Sequence, residues 1–319
     1  MRRLRLGPAA ANPGRWPGLL TGALLVSTAV LESAQLPLPP PPPTAPAPAA
    51  ELVVVPVEPA ADDAAVQAPM ELLASRPIVR VKVNGEGPYA FLIDPLAPRV
   101  LIDQTLAEAL ELKTQRSADD RDEALIDIGI GSATFRGIAA QVGKTSRLVP
   151  EFGPEGQPRG VLNTSVWPND LVTIDFGRRR LRIEPGTLPE PDQKSIFALE
   201  MPAGDLVVPM VVNGQSLRCR IDPMAPHGLL LPSSSRAQVP LRQAPASVSG
   251  IGTGRPNAPA KDARVTTTVT IATFDFDQPI VEFGEAGDTA VVGSPWLAGF
   301  ALTYDAANRR VRLEQTRVF

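Results

Sequence analysis

Two stretches of closely similar sequence decide the fold: Phe91-Leu92-Ile93-Asp94-Pro95-Leu96-Ala97-Pro98 and Arg220-Ile221-Asp222-Pro223-Met224-Ala225-Pro226. In each stretch an aspartate and a proline come directly after an apolar run. Proline fixes φ and lacks a backbone N–H, and aspartate readily bonds the backbone of a turn. The sequence therefore predicts two acidic turns. Two halves built alike would bring one carboxylate apiece to a shared site.

Further matches in the same order indicate an internal duplication. Residues 160–184 read GVLNTSVWPNDLVTIDFGRRRLRIE, and residues 290–314 read AVVGSPWLAGFALTYDAANRRVRLE. A single offset in residue number pairs each charged residue near the end of the first segment with a charged residue near the end of the second. Upstream, Val81-Lys82-Val83-Asn84-Gly85 matches Met210-Val211-Val212-Asn213-Gly214. Two copies are too few for a solenoid array, so we interpret the chain as a duplicated domain.

The N-terminal part of the chain has the composition of a targeting segment and a spacer. Three early arginines precede an apolar stretch from Leu19 to Leu31, which predicts a signal peptide or N-terminal anchor in residues 1–34. Residues 35–74 are rich in proline and alanine and are expected to form an extended linker. We expect export to the periplasm or the extracellular space. An uncleaved segment would instead give a membrane tether.

From Arg76 onward, short alternating apolar runs predict strands. Asn84-Gly85 is expected to turn one hairpin, and Asn213-Gly214 the hairpin from Leu206 to Ile221. Helix is scarce, and the best candidate is Gln104 to Leu112 with Asp103 as its N-cap. These patterns predict a mainly β fold.

Composition excludes several classes of function. The formal net charge is −3, and acidic and basic residues are interspersed, so we expect no nucleic-acid partner. The chain has one cysteine, Cys219, and one histidine, His227. A zinc site or a Ser-His or Cys-His mechanism would need more of these residues, so no metal or cofactor is expected. We interpret Cys219 as a small buried hydrophobe and His227 as a surface turn residue.

At the acidic turns the chain resembles the pepsin and retropepsin class of aspartic proteases, especially bacterial exported members. The resemblance covers both repeats, roughly residues 77–186 and 201–315. It implies a mainly β, two-lobed pepsin-like β-barrel pseudo-dimer, with lobe 1 at residues 75–190 and lobe 2 at 191–319. A peptide or protein would bind in the cleft between the lobes.

The resemblance places Asp94 and Asp222 at the two catalytic aspartates of the family. Val291-Val292-Gly293 fits a later apolar-apolar-Gly motif, whereas its first-half counterpart Val161-Leu162-Asn163 ends in asparagine. Residues 250–254, Gly-Ile-Gly-Thr-Gly, stand where the family has a glycine-rich flap. Two carboxylates held together cannot both ionise easily, so they share a proton and can activate water without a metal.

The turns also depart from the family. Pro95 and Pro223 replace the Thr or Ser that donates a hydroxyl and an N–H bond to lock the turns together. Leu96 and Met224 replace a glycine, and we expect their side chains to occupy space beside the carboxylates. Both halves have changed in the same way, which indicates a maintained design.

The region of the first half that corresponds to a flap, Ser117 to Glu123, has no glycine or aromatic residue and is interpreted as a solvated loop. Three functions fit this sequence. They are an aspartic endopeptidase that uses Asp94 and Asp222, an inactive pepsin-fold module that binds peptides or envelope proteins, and a structural exported β-domain in which each aspartate only caps its own turn.

Overall fold

A computed structural model describes residues 65–148, 156–200, 204–242, 260–284 and 287–316. Within these ranges the chain is mainly β, and no helix is long and apolar enough to cross a membrane. The predicted signal peptide or anchor (residues 1–34) and most of the predicted linker lie outside the described residues. The predicted glycine-rich flap at residues 250–254 lies outside them as well.

Strands make up most of both halves of the chain. The strands of the first half are β1 Val66–Leu73, β2 Arg76–Val83, β3 Glu86–Ile93, β4 Val100–Asp103, β5 Thr114–Arg116, β6 Asp122–Ile130, β7 Ala133–Gly143, β8 Gly160–Leu162, β9 Asp170–Asp175 and β10 Arg180–Pro185. Helix α1, Gln104–Ala109, follows β4. The strands of the second half are β11 Ile196–Ala198, β12 Leu206–Val212, β13 Gln215–Asp222, β14 Leu229–Pro232, β15 Ala260–Arg264, β16 Val269–Ile271, β17 Phe274–Phe276, β18 Ile280–Gly284, β19 Thr289–Gly293, β20 Phe300–Asp305 and β21 Arg310–Gln315.

The two halves repeat one set of strand pairings. In the first half, β3 runs parallel to β8, while β4 is antiparallel to β8 and parallel to β7. In the second half, β13 runs parallel to β19, while β14 is antiparallel to β19 and parallel to β18. In each half, therefore, an apolar strand from later in the sequence (β8 or β19) lies between two earlier strands. One of these leads into the acidic turn (β3 or β13), and the other follows the turn (β4 or β14). The predicted duplication is confirmed.

A sheet shared by both halves joins the lobes. Its strand order is β11-β21-β20-β9-β10-β1, and β9 pairs antiparallel with β20 at its centre. The hairpin β9–β10 of the first half and the hairpin β20–β21 of the second half meet there. Large buried side chains such as Trp167, Phe91, Tyr304 and Phe283 fill the core. The prediction of a mainly β, two-lobed pepsin-like fold is confirmed by this topology.

Strand β1 corrects the predicted extent of the linker. The sequence interpretation ended the linker at residue 74, but Val66–Leu73 pairs with β10 on one side and with β2 on the other. Ala68 and Met70 of this strand are buried. One partner, β10, lies more than a hundred residues later in the chain, while the other, β2, follows after a two-residue turn that the composition of this segment did not reveal.

The predicted hairpins are present, and their turns have the expected backbone. Asn84 and Gly85 have φ of 51° and 88°, and Asn213 and Gly214 have φ of 50° and 76°. Positive φ at both central residues matches the right-handed twist of the flanking strands. Asp103 caps α1 as predicted, because its side chain accepts a hydrogen bond from the backbone N–H of Thr105. The helix ends at Ala109 rather than at the predicted Leu112.

Candidate active site

Each acidic turn begins where its strand leaves the parallel pair. In the first half, the backbone N–H of Asp94 donates to the carbonyl of Leu162 at 2.9 Å, directly beyond the β3–β8 ladder. In the second half, Asp222 is the last residue of β13 and pairs with Gly293 of β19. The two aspartates therefore occupy the same place in the two halves.

The two turns also share their internal hydrogen bonds. Oδ1 of Asp94 accepts from the N–H of Leu96 at 3.1 Å, and Oδ1 of Asp222 accepts from the N–H of Met224 at 2.9 Å. The carbonyl of each aspartate accepts the N–H of the alanine three residues later at 3.1 Å. A proline fits the position after the aspartate, because that position needs its fixed φ and no N–H donor.

Leu96 and Met224 do not displace the bonds that the family obtains from glycine. Both keep their N–H directed at the carboxylate, and their side chains pack into apolar clusters. Met224 of the second half packs against a first-half cluster formed by Ile78, Leu92 and Val161. Met224 therefore serves as an apolar contact between the lobes, and it also lines the cavity beside Asp94.

The asparagine that stands in place of a motif glycine supports the first turn. Asn163 Nδ2 donates to the carbonyl of Ala97 at 2.8 Å, and Asn163 Oδ1 accepts from the N–H of Ser165 at 3.1 Å. The neighbouring Thr164 hydroxyl donates to the carbonyl of Pro95 at 3.3 Å. Side chains from the segment after β8 thus hold two carbonyl groups of the Asp94 turn.

The second half needs glycine at the equivalent position. A Cβ atom on Gly293 would lie 2.0 Å from the carbonyl oxygen of His227 and 2.6 Å from that of Ala225. Its N–H donates to the carbonyl of Gly228 at 2.8 Å, and the N–H of Ser294 donates to Ala225 at 3.1 Å. The second turn is therefore held by backbone groups, and the first turn by the Asn163 and Thr164 side chains.

The carboxyl groups of Asp94 and Asp222 interact electrostatically. Burial raises the pKa of Asp94 to about 6, the Leu96 N–H bond opposes that rise, and the charge of Asp222 adds to it. Burial also raises the pKa of the Tyr304 hydroxyl, and the charges of both aspartates add to that shift. Tyr304 lies in the core on β20. The charges of Asp94 and Asp222 thus act on one another, and the buried tyrosine lies within reach of both charges.

Asp222 has an additional charged neighbour. Nη2 of Arg220 lies 3.4 Å from Oδ2 of Asp222, and Nη1 of the same arginine lies 3.9 Å from Oδ1 of Asp205. The Asp222 side chain is 29% exposed, which leaves it accessible to a small molecule such as water. Oδ1 of Asp222 is held by the backbone N–H of Met224, and Oδ2 faces Arg220.

A cavity of about 370 Å³ lies beside Asp94. Its lining includes Met224 from the second half and two arginines, Arg76 and Arg99, from the first. Most of the remaining wall is apolar: Ala97, Pro98, Leu101, Leu148 and Val161. Sequence reasoning missed both arginines. The available signal for Arg76 was a charged residue that opens an otherwise apolar run.

Arg99 ties the flap-equivalent loop to the Asp94 turn. Its guanidinium bonds Glu123 at 2.8 Å and also contacts Asp119. The loop is exposed from Ala118 to Asp122, in agreement with the solvated loop predicted for residues 117–123. Ion pairs with Arg99, rather than aromatic contacts, therefore fix its position beside the turn.

The lone cysteine and histidine lie outside this arrangement. Cys219 is fully buried, and burial raises the pKa of its thiol, which confirms the interpretation as a small hydrophobe. His227 is only partly exposed, and its Nδ1 lies 3.1 Å from Oε2 of Glu282. It is thus packed against β18 and is more enclosed than the predicted surface turn residue.

Comparison with known proteins gives a structural likeness only. No protein-family model matches the chain, and no curated protein matches it in sequence. Among solved structures, the crystal structure of Basic 7S globulin from soybean aligns with 79% of this chain and 95% of its own, at 12% identity and a TM-score of 0.49. The strand pairings described above establish the fold independently of that match.

Proposed function

We propose that this chain is an aspartic-type, peptidase-like protein that hydrolyses peptide bonds with Asp94 and Asp222. The observation that supports the proposal is the pair of matched acidic turns whose carboxyl charges interact. An extended peptide would lie between the lobes and pair as a strand does. The cavity beside Asp94 would receive one of its side chains.

The chemistry assigns different roles to the two carboxyls. Because the pKa of Asp94 is raised to about 6, Asp94 carries the shared proton below that pH. Asp222 takes a proton from water as the water oxygen bonds the peptide carbonyl carbon, and Asp94 gives its proton to the carbonyl oxygen. The tetrahedral diol then breaks its C–N bond. The proton held by Asp222 goes to the leaving nitrogen, one diol hydroxyl returns a proton to Asp94, and a carboxylic acid and an amine result.

The second candidate function is peptide binding without hydrolysis. Two observations favour it: the prolines after both aspartates provide no hydroxyl, and Arg99 holds the flap-equivalent loop through two carboxylates. A cleft of this shape would still bind an extended peptide, but a loop fixed in this way would not close over it. In either case, residues 1–34 would direct export, and the proline-rich segment that follows would act as a tether.

Incubation of the full chain with a diverse peptide library, over roughly pH 3 to 7, tests the proposal. We expect cleavage that disappears in Asp94→Asn and in Asp222→Asn. The matched control is Asp277→Asn, an exposed carboxylate in the loop between β17 and β18, which should cleave as the wild type does. Retention of cleavage in either site variant contradicts the dyad. A folded wild type that binds library peptides without cutting them establishes the binding function instead.

A further inference from the structure

Arg76 is a buried cation at the junction of the two lobes. It opens β2 directly after the tight turn at Ala74 and Ser75, whose φ values are 44° and 66°, and it is only 8% exposed. Removing a guanidinium from water is costly unless hydrogen bonds compensate. An arginine in this place therefore needs specific partners, and those partners indicate what it does.

The partner across the lobe boundary is the second acidic turn. Arg76 Nε donates to the carbonyl oxygen of Met224 at 3.0 Å, across 148 residues of sequence. The N–H of that same Met224 donates to Asp222 Oδ1 at 2.9 Å. A first-half side chain thus holds the carbonyl of the residue whose N–H orients the second-half carboxylate.

The position of Arg76 relative to Asp94 strengthens this link. The β2–β3 ladder ends at the pair Ile78 and Leu92, and extending this register by two residues would bring Arg76 level with Asp94. Arg76, Asp94 and Met224 line one cavity. One side chain therefore lies beside the first aspartate and bonds the turn of the second.

The equivalent residue of the second half serves the same aspartate. The β12–β13 ladder begins at the pair Leu206 and Ile221, and extending it by one residue would bring Asp205 level with Asp222, so Asp205 is the counterpart of Arg76 in the second repeat. Asp205 contacts Arg220, which reaches Oδ2 of Asp222. The equivalent positions in the two repeats thus carry residues of opposite charge, and both act on Asp222.

We propose that Arg76 is a positioning residue that clamps the Asp222 turn to the first lobe and so fixes the distance between the two carboxyls. The prolines after the aspartates cannot link the turns through a hydroxyl or an N–H. The Arg76 guanidinium links the two turns instead, because it lies beside Asp94 and bonds the carbonyl of Met224. An effect of Arg76 on the rate of cleavage rests on the proposed hydrolysis, whereas its effect on the distance between the two carboxyls does not.

The test follows the titration of the Asp94 carboxyl carbon by NMR in the full chain, which needs no catalysis. Arg76→Lys keeps the charge but cannot place a donor where Nε lies, so a loosened turn should lower the Asp94 midpoint by roughly half a pH unit or more. Arg80→Met removes another arginine of β2, one that is exposed and paired with Glu71, and should leave the midpoint unchanged. Asp222→Asn gives the midpoint expected when the partner charge is absent.

A second variant separates the clamp from a simple charge effect. Arg76→Met removes the cation, and if Arg76 acted only through its charge, the Asp94 midpoint would rise in Arg76→Met and stay unchanged in Arg76→Lys. That pattern overturns the proposal, as does an unchanged midpoint in both variants. If Arg76→Met does not fold, Arg76→Lys alone decides by the same titration.

If the wild type cleaves peptides, Arg76→Lys should lower kcat at least about tenfold with little change in KM, because orientation of the reacting groups is lost while peptide contacts remain. If the wild type cleaves nothing, the proposed hydrolysis fails, and the titration still decides whether the clamp exists. Equal kcat in Arg76→Lys and the wild type, in a cleaving protein, also overturns the proposal.

Discussion

The hydroxyl oxygens of Thr173 and Thr303 lie 2.9 Å apart, and the two residues pair directly across β9 and β20. They are 130 residues apart and occupy the same position in the two repeats. A residue that meets its own counterpart lies on the axis that relates the two copies. The pseudo-twofold axis of the molecule therefore passes through this pair, in the sheet that joins the lobes.

This threonine pair should behave as a coupled unit. Thr173→Val removes one hydroxyl and leaves the hydroxyl of the fully buried Thr303 without its partner, so we expect a loss of about 1–2 kcal/mol in the free energy of unfolding. The double variant Thr173→Val with Thr303→Val should cost less than the sum of the single changes, since neither hydroxyl is then left behind. Urea unfolding of the four proteins measures this coupling. Strict additivity would contradict it.

Titration of Asp94 should make the free energy of unfolding depend on pH. Its folded pKa of about 6 exceeds the ordinary value of 3.8, so the folded state binds more protons than the unfolded state between those values. The contribution of Asp94 to the free energy of unfolding is fully present below about pH 4 and is lost as the pH rises through about 6.

Asp94→Asn should remove that loss, because asparagine keeps an acceptor for the Leu96 N–H and does not ionise. We expect the variant to exceed the wild type by up to about 3 kcal/mol at pH 7 and to match it near pH 4. Urea unfolding at several pH values provides the comparison. The prediction is wrong if the wild type and the variant show the same slope between pH 4 and 6.

Asn163 and Gly293 should not be interchangeable, although they are equivalent in the repeats. Gly293→Ala places a Cβ against two backbone carbonyls, so we expect a cost of about 3 kcal/mol or more. Asn163→Gly loses bonds to Ala97 and Ser165 and should cost about 1–2 kcal/mol. Thermal and urea unfolding measure both effects. A tolerated Gly293→Ala would contradict the close approach at the second turn.

Strand β1 should be needed for a stable fold. A chain that lacks residues 1–74 loses buried Ala68 and Met70 and leaves the edges of β2 and β10 unpaired, whereas one that lacks residues 1–64 keeps them. We expect the shorter chain to lose about 4 kcal/mol or more of unfolding free energy, or to fail to fold. Comparison of the two Tm values tests this expectation, and equal values would overturn it.

Local rules were sufficient where the structure is local. The hairpin turns at Asn84-Gly85 and Asn213-Gly214 and the N-cap at Asp103 follow from the backbone preferences of those residues. The predicted helix was three residues too long, because Glu111 adopts φ of 49° and the chain leaves the helical path before it. No glycine marks that end in the sequence.

Features that depend on distant partners were not predictable in this way. Val66–Leu73 reads as the end of a proline- and alanine-rich segment, and only β10 and β2 make it a strand. Arg76 reads as an ordinary charged residue, and its bond to the carbonyl of Met224 depends on a residue far along the chain. The two aspartates were found because the duplication displays them twice.

The covalent connection between the two halves has a consequence for their divergence. A homodimer built around the Thr173–Thr303 axis would have to carry the same residue on both sides, because one gene would encode both subunits. A single chain is free of that constraint. Arg76 and Asp205 hold equivalent positions in the two repeats, as do Asn163 and Gly293. A symmetric assembly could not carry different residues at these equivalent positions. A single chain can thus carry two copies of one turn that differ chemically.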